Sequence, residues 1–214
     1  MKVLITGANR GIGAGLAEAY RADGAEVVAT SRSGATGARL DVTDAGSVAR
    51  LAGEIGDGAL DILICNAGVY LDRGEDLATG YAPALWAETF AVNVTGVFLT
   101  VQAVLPQLKR AGAPKVAIVS SQMGSSARTG GNGLIYRASK AAATNLGLNL
   151  AEALAPDGIA VGIYHPGWVR TDMGGGRADI TVEASVSGLK ARIGALSLGT
   201  TGPFETWDGR PHPV

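Results

Sequence analysis

The chain has 214 residues, 47% of them hydrophobic and 17% charged, and 18 Lys plus Arg against 19 Asp plus Glu leave a formal net charge of −1. That balance excludes the basic field a nucleic-acid partner requires, and the apolar excess suits parallel strands covered by helices on both faces, within what reads as one domain over residues 1–214. One cysteine, Cys65, and two histidines exclude an internal disulfide and a metal-ligand cluster. With no apolar leader and no run read as long enough to span a bilayer, the expectation is a cytoplasmic protein without a membrane partner.

Val3, Leu4 and Ile5 form a short apolar run that reads as a strand buried on both faces. A turn follows with Gly7, Gly11 and Gly13 in the order G-x-x-x-G-x-G, then Ile12, Leu16, Ala17, Ala19 and Tyr20 at helical spacing. Glycines there let a backbone approach a ligand, and a helix N-terminus offers N–H groups to a pyrophosphate, so the stretch predicts a dinucleotide site. Ala25 to Thr30 reads as the second strand and delivers Ser31 and Arg32 where an acidic residue would hold a ribose 2′-OH. With no acid there, and Arg10 inside the glycine turn as a second cation, NADP(H) is preferred over NAD(H).

Ala38 to Val42 reads as a third strand closing on Asp41-Val42, with Asp41 an acceptor for an adenine amino group and Thr43 or Asp44 capping a helix to about Ile55. Asp61 to Cys65 is a fourth buried strand running into Asn66-Ala67-Gly68, small enough to lie against a flat ligand, with Cys65 as a buried hydrophobe. Pro83 to about Arg110 keeps helical periodicity; Pro106 should kink or tighten its last turns, and Asn93 is a polar residue on an apolar helix that needs a partner if buried. Pro114 to Ser120 is the fifth strand and brings Ser120 and Ser121 to a carboxyl end, where ligands sit in open parallel sheets.

Tyr136 and Lys140 open the helix to about Leu154 and, four apart, share one face. A free phenol with a pKa of about 10 is a poor proton carrier at neutral pH, and a nearby ammonium is expected to lower that value, making a tunable acid/base pair. Gly158 to Tyr164 is a sixth strand ending at His165-Pro166-Gly167; Arg170 to Asp179 is a glycine-rich loop expected to be mobile and to close over substrate. Thr181 caps a helix to about Ala195, and Thr201 to Gly209 reads as a last strand with a turn.

Taken together, these residues resemble the short-chain dehydrogenase/reductase family over essentially the whole chain, and most of all its C-factor and sniffer-like carbonyl reductase branch. Gly7, Asn9, Arg10, Gly11, Ile12 and Gly13 resemble its cofactor turn, Asp41-Val42 its adenine site and Asn66-Ala67-Gly68 its strand-four motif. Asn93, Ser121, Tyr136 and Lys140 stand in the order of its catalytic tetrad, and Pro166, Gly167, Val169 and Thr171 in that of its nicotinamide loop. The resemblance selects Ser121 over Ser120. It further implies that Lys140 bonds the nicotinamide ribose, that Asn93 holds a relay water and that Thr171 bonds the carboxamide.

The expected fold is a single-domain α/β Rossmann fold, a doubly wound parallel sheet of about seven strands in the order 3-2-1-4-5-6-7. The expected activity is NADPH-dependent transfer of hydride between nicotinamide and a small carbonyl or alcohol substrate; the alternative is a cofactor-binding signalling or regulatory protein of the C-factor type. The apolar helices containing Phe98 and Leu148 suggest a homodimer or homotetramer.

Overall fold

The structure is a computed structural model, and it describes residues 1–35, 37–78 and 80–214. Seven strands, β1 (Lys2–Ile5), β2 (Glu26–Ser31), β3 (Ala38–Arg39), β4 (Ile62–Cys65), β5 (Lys115–Val119), β6 (Ala160–His165) and β7 (Phe204–Thr206), form one sheet in the order β3-β2-β1-β4-β5-β6-β7. Every neighbouring pair is parallel. The Rossmann fold and the strand order expected from the sequence are therefore present.

Side chains that alternate along the strands fill two cores. On one face Leu4, Leu63, Val116, Ile118 and Val161 meet helices α2 (Ala45–Ile55), α4 (Gly96–Leu108) and α5 (Leu134–Leu154). On the other, Val3, Ile5, Ile62, Ile64 and Ala117 meet α1 (Gly11–Ala22) and α6 (Val182–Ala195). Asp44 caps α2 by accepting from Gly46 N at 2.8 Å, and Thr181 caps α6 by accepting from Ala184 N at 3.2 Å.

Three local expectations change. Strand β3 stops at Arg39 instead of Val42, because the Asp41 carboxylate accepts from Thr43 N and Thr43 Oγ1 and its N–H donates to Ser47 Oγ, which turns the chain out of the sheet. The long helical stretch is three pieces, α3 (Pro83–Phe90), a π-helical segment (Ala91–Thr95) and α4, and α4 runs through Pro106 to end two residues later. Contrary to the expectation that no run suffices, Pro83–Leu108 is 26 residues long and contains an 18-residue stretch with a mean hydropathy of 1.5, enough by length and composition to span a bilayer. Val97, Val101, Val104 and Leu108 of that stretch fill the core against the sheet, which accounts for its apolar character.

Strand order reverses at β1, which pairs with β2 on one side and β4 on the other. The carboxyl ends of β1 and β4 therefore diverge into the crevice where such sheets bind ligands.

Candidate active site

The glycine turn leaves β1 and enters α1 across the end of β4. Gly7 holds φ at +65°, and a Cβ on it would lie 2.9 Å from Ala67 Cα; a Cβ on Gly13 would lie 2.4 Å from both Asn66 Nδ2 and Gly7 O. Only glycine fits either place. Asn66 locks the arrangement, its Nδ2 donating to Thr6 O and Gly7 O at 3.0 Å each, while Thr6 Oγ1 accepts from Asn66 N and Ala67 N. The Asn66 amide is thus spent on shaping the turn.

Helix α1 begins after an extended Arg10 and has no side-chain cap and no acid in its first turn. Its first N–H groups and positive dipole lie at the crevice with no acid in the first turn to compete for them, which suits a pyrophosphate. Arg10 itself is ion-paired with Asp172 at 2.5 Å, an exposed contact worth little on its own. The loop that follows β6 is thereby laid over the turn, and the Thr171 methyl would be 3.1 Å from a Cβ on Gly11. The Thr171 hydroxyl is engaged locally, accepting from Gly174 N and donating to Val169 O. Val169 is buried and bridges to Ile180, Pro166 O accepts from Ser185 Oγ at 2.6 Å, and Gly167 turns with φ at +88° against Ile180 and Trp207.

At the end of β2, Ser31 is buried and its Oγ accepts from Gly34 N, while Arg32 is exposed. A second cation stands beside them that the sequence reading missed: Arg39 is the register partner of Ser31 across β2 and β3. Both arginines act on Asp41, whose carboxyl is held below its usual range first by the Thr43 bonds and then by these charges. Asp41 Oδ1 is committed to Thr43, leaving Oδ2 for a ligand. Val42 packs against Gly96 at the start of α4.

Ser121, Tyr136 and Lys140 gather where β5 ends against the first turns of α5. Ser120 faces inward, its Oγ bonded to Lys140 O and Thr144 Oγ1. Ser121 accepts from Met123 N at 3.1 Å, and its hydroxyl lies near enough to act on the Tyr136 phenol. Two adjacent serines thus divide into one bonded within the core and one beside the Tyr136 phenol. Lys140 Nζ sits 5.9 Å from the Tyr136 ring centroid and donates to Val119 O at 2.9 Å.

The expected lowering of the tyrosine pKa is not what this geometry produces. Burial pushes the Tyr136 phenol up to about 12, with the Ser121 hydroxyl and the Arg73 guanidinium pulling it down less strongly. Burial also drops Lys140 to about 8. Desolvation disfavours the charged form of each, so here it outweighs the attraction between them. Cys65, raised to about 12 by burial alone, is an inert core thiol.

Asn93 lies in the π segment and is 1% exposed. Its Nδ2 donates to Val69 O and Ser139 Oγ at 2.9 Å each, and its Oδ1 accepts from Val69 N at 2.8 Å. Ser139 Oγ in turn donates to Tyr136 O. The side chain ties the segment after β4 to the helix carrying Tyr136; a relay water would have to use what these bonds leave.

Two further residues at the site carry no local sequence signal. Tyr70 stacks on Tyr136 with ring centroids 4.4 Å apart and planes 16° from parallel. Asp72, fully buried, accepts from Ile135 N at 2.8 Å and Tyr136 N at 3.2 Å, so it caps α5 from 63 residues away, where Gly133 offers no side chain. Among the described residues no group of three His, Cys, Asp or Glu is placed to hold a metal ion.

Known proteins match this arrangement. Over 73% of this chain and 93% of its own length, the C-signal protein of Myxococcus xanthus is 38% identical. An NADPH-bound carbonyl reductase from chicken fatty liver superposes with a TM-score of 0.91 at 31% identity, covering 100% of this chain and 98% of its own. The carbonyl reductase Sniffer of D. melanogaster superposes with a TM-score of 0.91 at 27% identity, covering 100% and 99%. Residues 1–179 match the short chain dehydrogenase family, and the chain belongs to that family of oxidoreductases.

Proposed function

We propose that this protein is an NADPH-dependent reductase of aldehydes or ketones, with Tyr136 as the general acid. The observation that carries the reading is the buried Tyr136 phenol, protonated at neutral pH and set beside Ser121 and Lys140. A phenol that keeps its proton is suited to the reductive direction, because the alkoxide forming on the substrate is far more basic than the phenolate left behind.

The residues present fit the nucleotide. The uncapped N-terminus of α1 and the glycines of the turn would receive the pyrophosphate, Arg32 and Arg39 a 2′-phosphate, and the Pro166–Thr171 loop the nicotinamide end. When bound, that cofactor supplies the hydride. Ser121 would donate to the carbonyl oxygen and fix it against Tyr136, stabilising the charge that develops there. Tyr136 gives its proton to that oxygen. Lys140, with a pKa brought near neutrality, stabilises the phenolate as it forms and passes a proton back to it. Solved relatives bound to NADPH or NADP, the chicken carbonyl reductase among them, support the cofactor choice.

The test is NADPH consumption over a panel of aldehydes, ketones and quinones, with NADH and Tyr136→Phe in parallel. Turnover that prefers NADPH and falls by roughly 10²- to 10⁴-fold in the variant is expected. The likeness to C-signal supports a second reading, a cofactor-binding regulatory protein. Tight NADPH binding with no turnover on any compound would favour it.

A further inference from the structure

A cleft of about 440 Å³ adjoins the proton-handling site, walled by the Tyr70 and Trp168 rings and by Met123, with Asn132, Arg73 and Arg177 as its polar lining. Among the described residues no acid lines it. Arg73 is held in place: its guanidinium lies over the Tyr70 ring, 5.1 Å from the centroid, and donates to Met173 O. Tyr70 stacks on Tyr136, so Arg73, Tyr70 and Tyr136 form a row of contacts. Among the described residues neither Arg73 nor Arg177 has a carboxylate partner in an ion pair. Of the acids near the cleft in sequence, Asp72 is committed to the N–H groups of α5 and Asp172 to Arg10.

Two arginines lining one cleft bring it positive charge, and a planar carboxylate is a group that a guanidinium fork pairs with well. Flat apolar walls beside them favour an aromatic or apolar body. We propose, resting on the reductase reading above, that this cleft receives carbonyl substrates bearing a carboxylate, with Arg73 and Arg177 taking the carboxylate and Tyr70 and Trp168 the body, while the carbonyl faces Ser121 and Tyr136.

The experiment compares para-carboxybenzaldehyde with its methyl ester as substrates of the full-length protein with NADPH. The ester is the more electrophilic aldehyde, so intrinsic reactivity works against the proposal. The acid should nonetheless be favoured in kcat/KM by about tenfold or more, the worth of one charge-assisted hydrogen bond, and the preference should shrink at high salt. In Arg177→Gln and Arg73→Gln the ratio of acid to ester should fall towards unity, whatever happens to the absolute rates. An ester reduced as well as or better than the acid by the unaltered protein overturns the proposal and leaves the reductase reading standing. If neither aldehyde turns over, the panel of aldehydes, ketones and quinones decides the reductase reading, and titration calorimetry with para-(hydroxymethyl)benzoate, with and without NADP⁺, decides the cleft alone. Binding weakened about tenfold in Arg177→Gln supports it; no binding, or equal affinity for the methyl ester, overturns it.

Discussion

At the scale of single residues, the site turns on which of two neighbours faces the crevice. Ser120 Oγ is closed into bonds with Lys140 O and Thr144 Oγ1, while Ser121 acts on Tyr136. Ser121→Ala should therefore lower kcat by roughly 10²-fold with KM for NADPH little changed, whereas Ser120→Ala should act mainly on thermal stability. Steady-state kinetics of both variants check this, and the reverse pattern would move the role to Ser120. The cation pair Arg32 and Arg39 makes a second prediction. Arg32→Ala and Arg39→Ala should each raise KM for NADPH by about tenfold or more and leave KM for NADH nearly unchanged. Equal losses with both cofactors would contradict it. Arg32 is readable from its place after the second strand, but Arg39 is not, because only the β2 to β3 register puts it beside Ser31. Arg10, read as the second cation, is ion-paired with Asp172, 162 residues on.

At the scale of elements, α5 presents Tyr136 and Lys140, and its first turn is held from outside. Gly133 cannot cap it, and the Asp72 carboxylate takes over that role for Ile135 N and Tyr136 N. Asp72→Ala leaves those donors without an acceptor and should cost roughly 1–3 kcal/mol in urea denaturation. It should also lower kcat, since Tyr136 stands in the freed turn. Asp72→Asn keeps an acceptor and should recover part of both losses; an unshifted unfolding midpoint in Asp72→Ala would refute the capping role. The start of α5 and its Tyr-x-x-x-Lys spacing were legible because both are local features of the sequence. The cap was not, because a lone Asp in a loop carries no mark of a helix that begins 62 residues later. The π segment was equally hidden: one extra residue in a turn leaves the apolar periodicity almost unchanged, although Asn93 drew notice as a polar residue there.

At the scale of the whole molecule, the parallel sheet sets strand ends around one crevice, and strand order was readable because each buried apolar run is bounded by turn residues. What burial does to the acid/base pair was not readable, since spacing gives proximity but not desolvation. That burial has a consequence for stability. Lys140 falls to about 8 in the folded chain from the usual lysine value of about 10.4. Between those values the unfolded chain binds more protons, so stability rises with pH through that window, and below about 8 the full cost of the buried charge is present. Lys140→Met should thus raise Tm at pH 7 by about 2–4 °C while abolishing turnover, and the gain should shrink as pH approaches about 10. A lower Tm in that variant at pH 7 would show that the bond from Lys140 to Val119 O outweighs the desolvation.

The most direct test of the central claim is transfer of deuterium from NADPH deuterated on the nicotinamide ring to an aldehyde, read by mass spectrometry of the product alcohol. The account predicts one deuterium bound to the former carbonyl carbon with the unaltered protein and loss of that product in Tyr136→Phe, although the variant still binds NADPH. Deuterated alcohol formed equally by both proteins would contradict the assignment of Tyr136 as the acid, and none formed by either from any aldehyde or ketone would contradict the reductase.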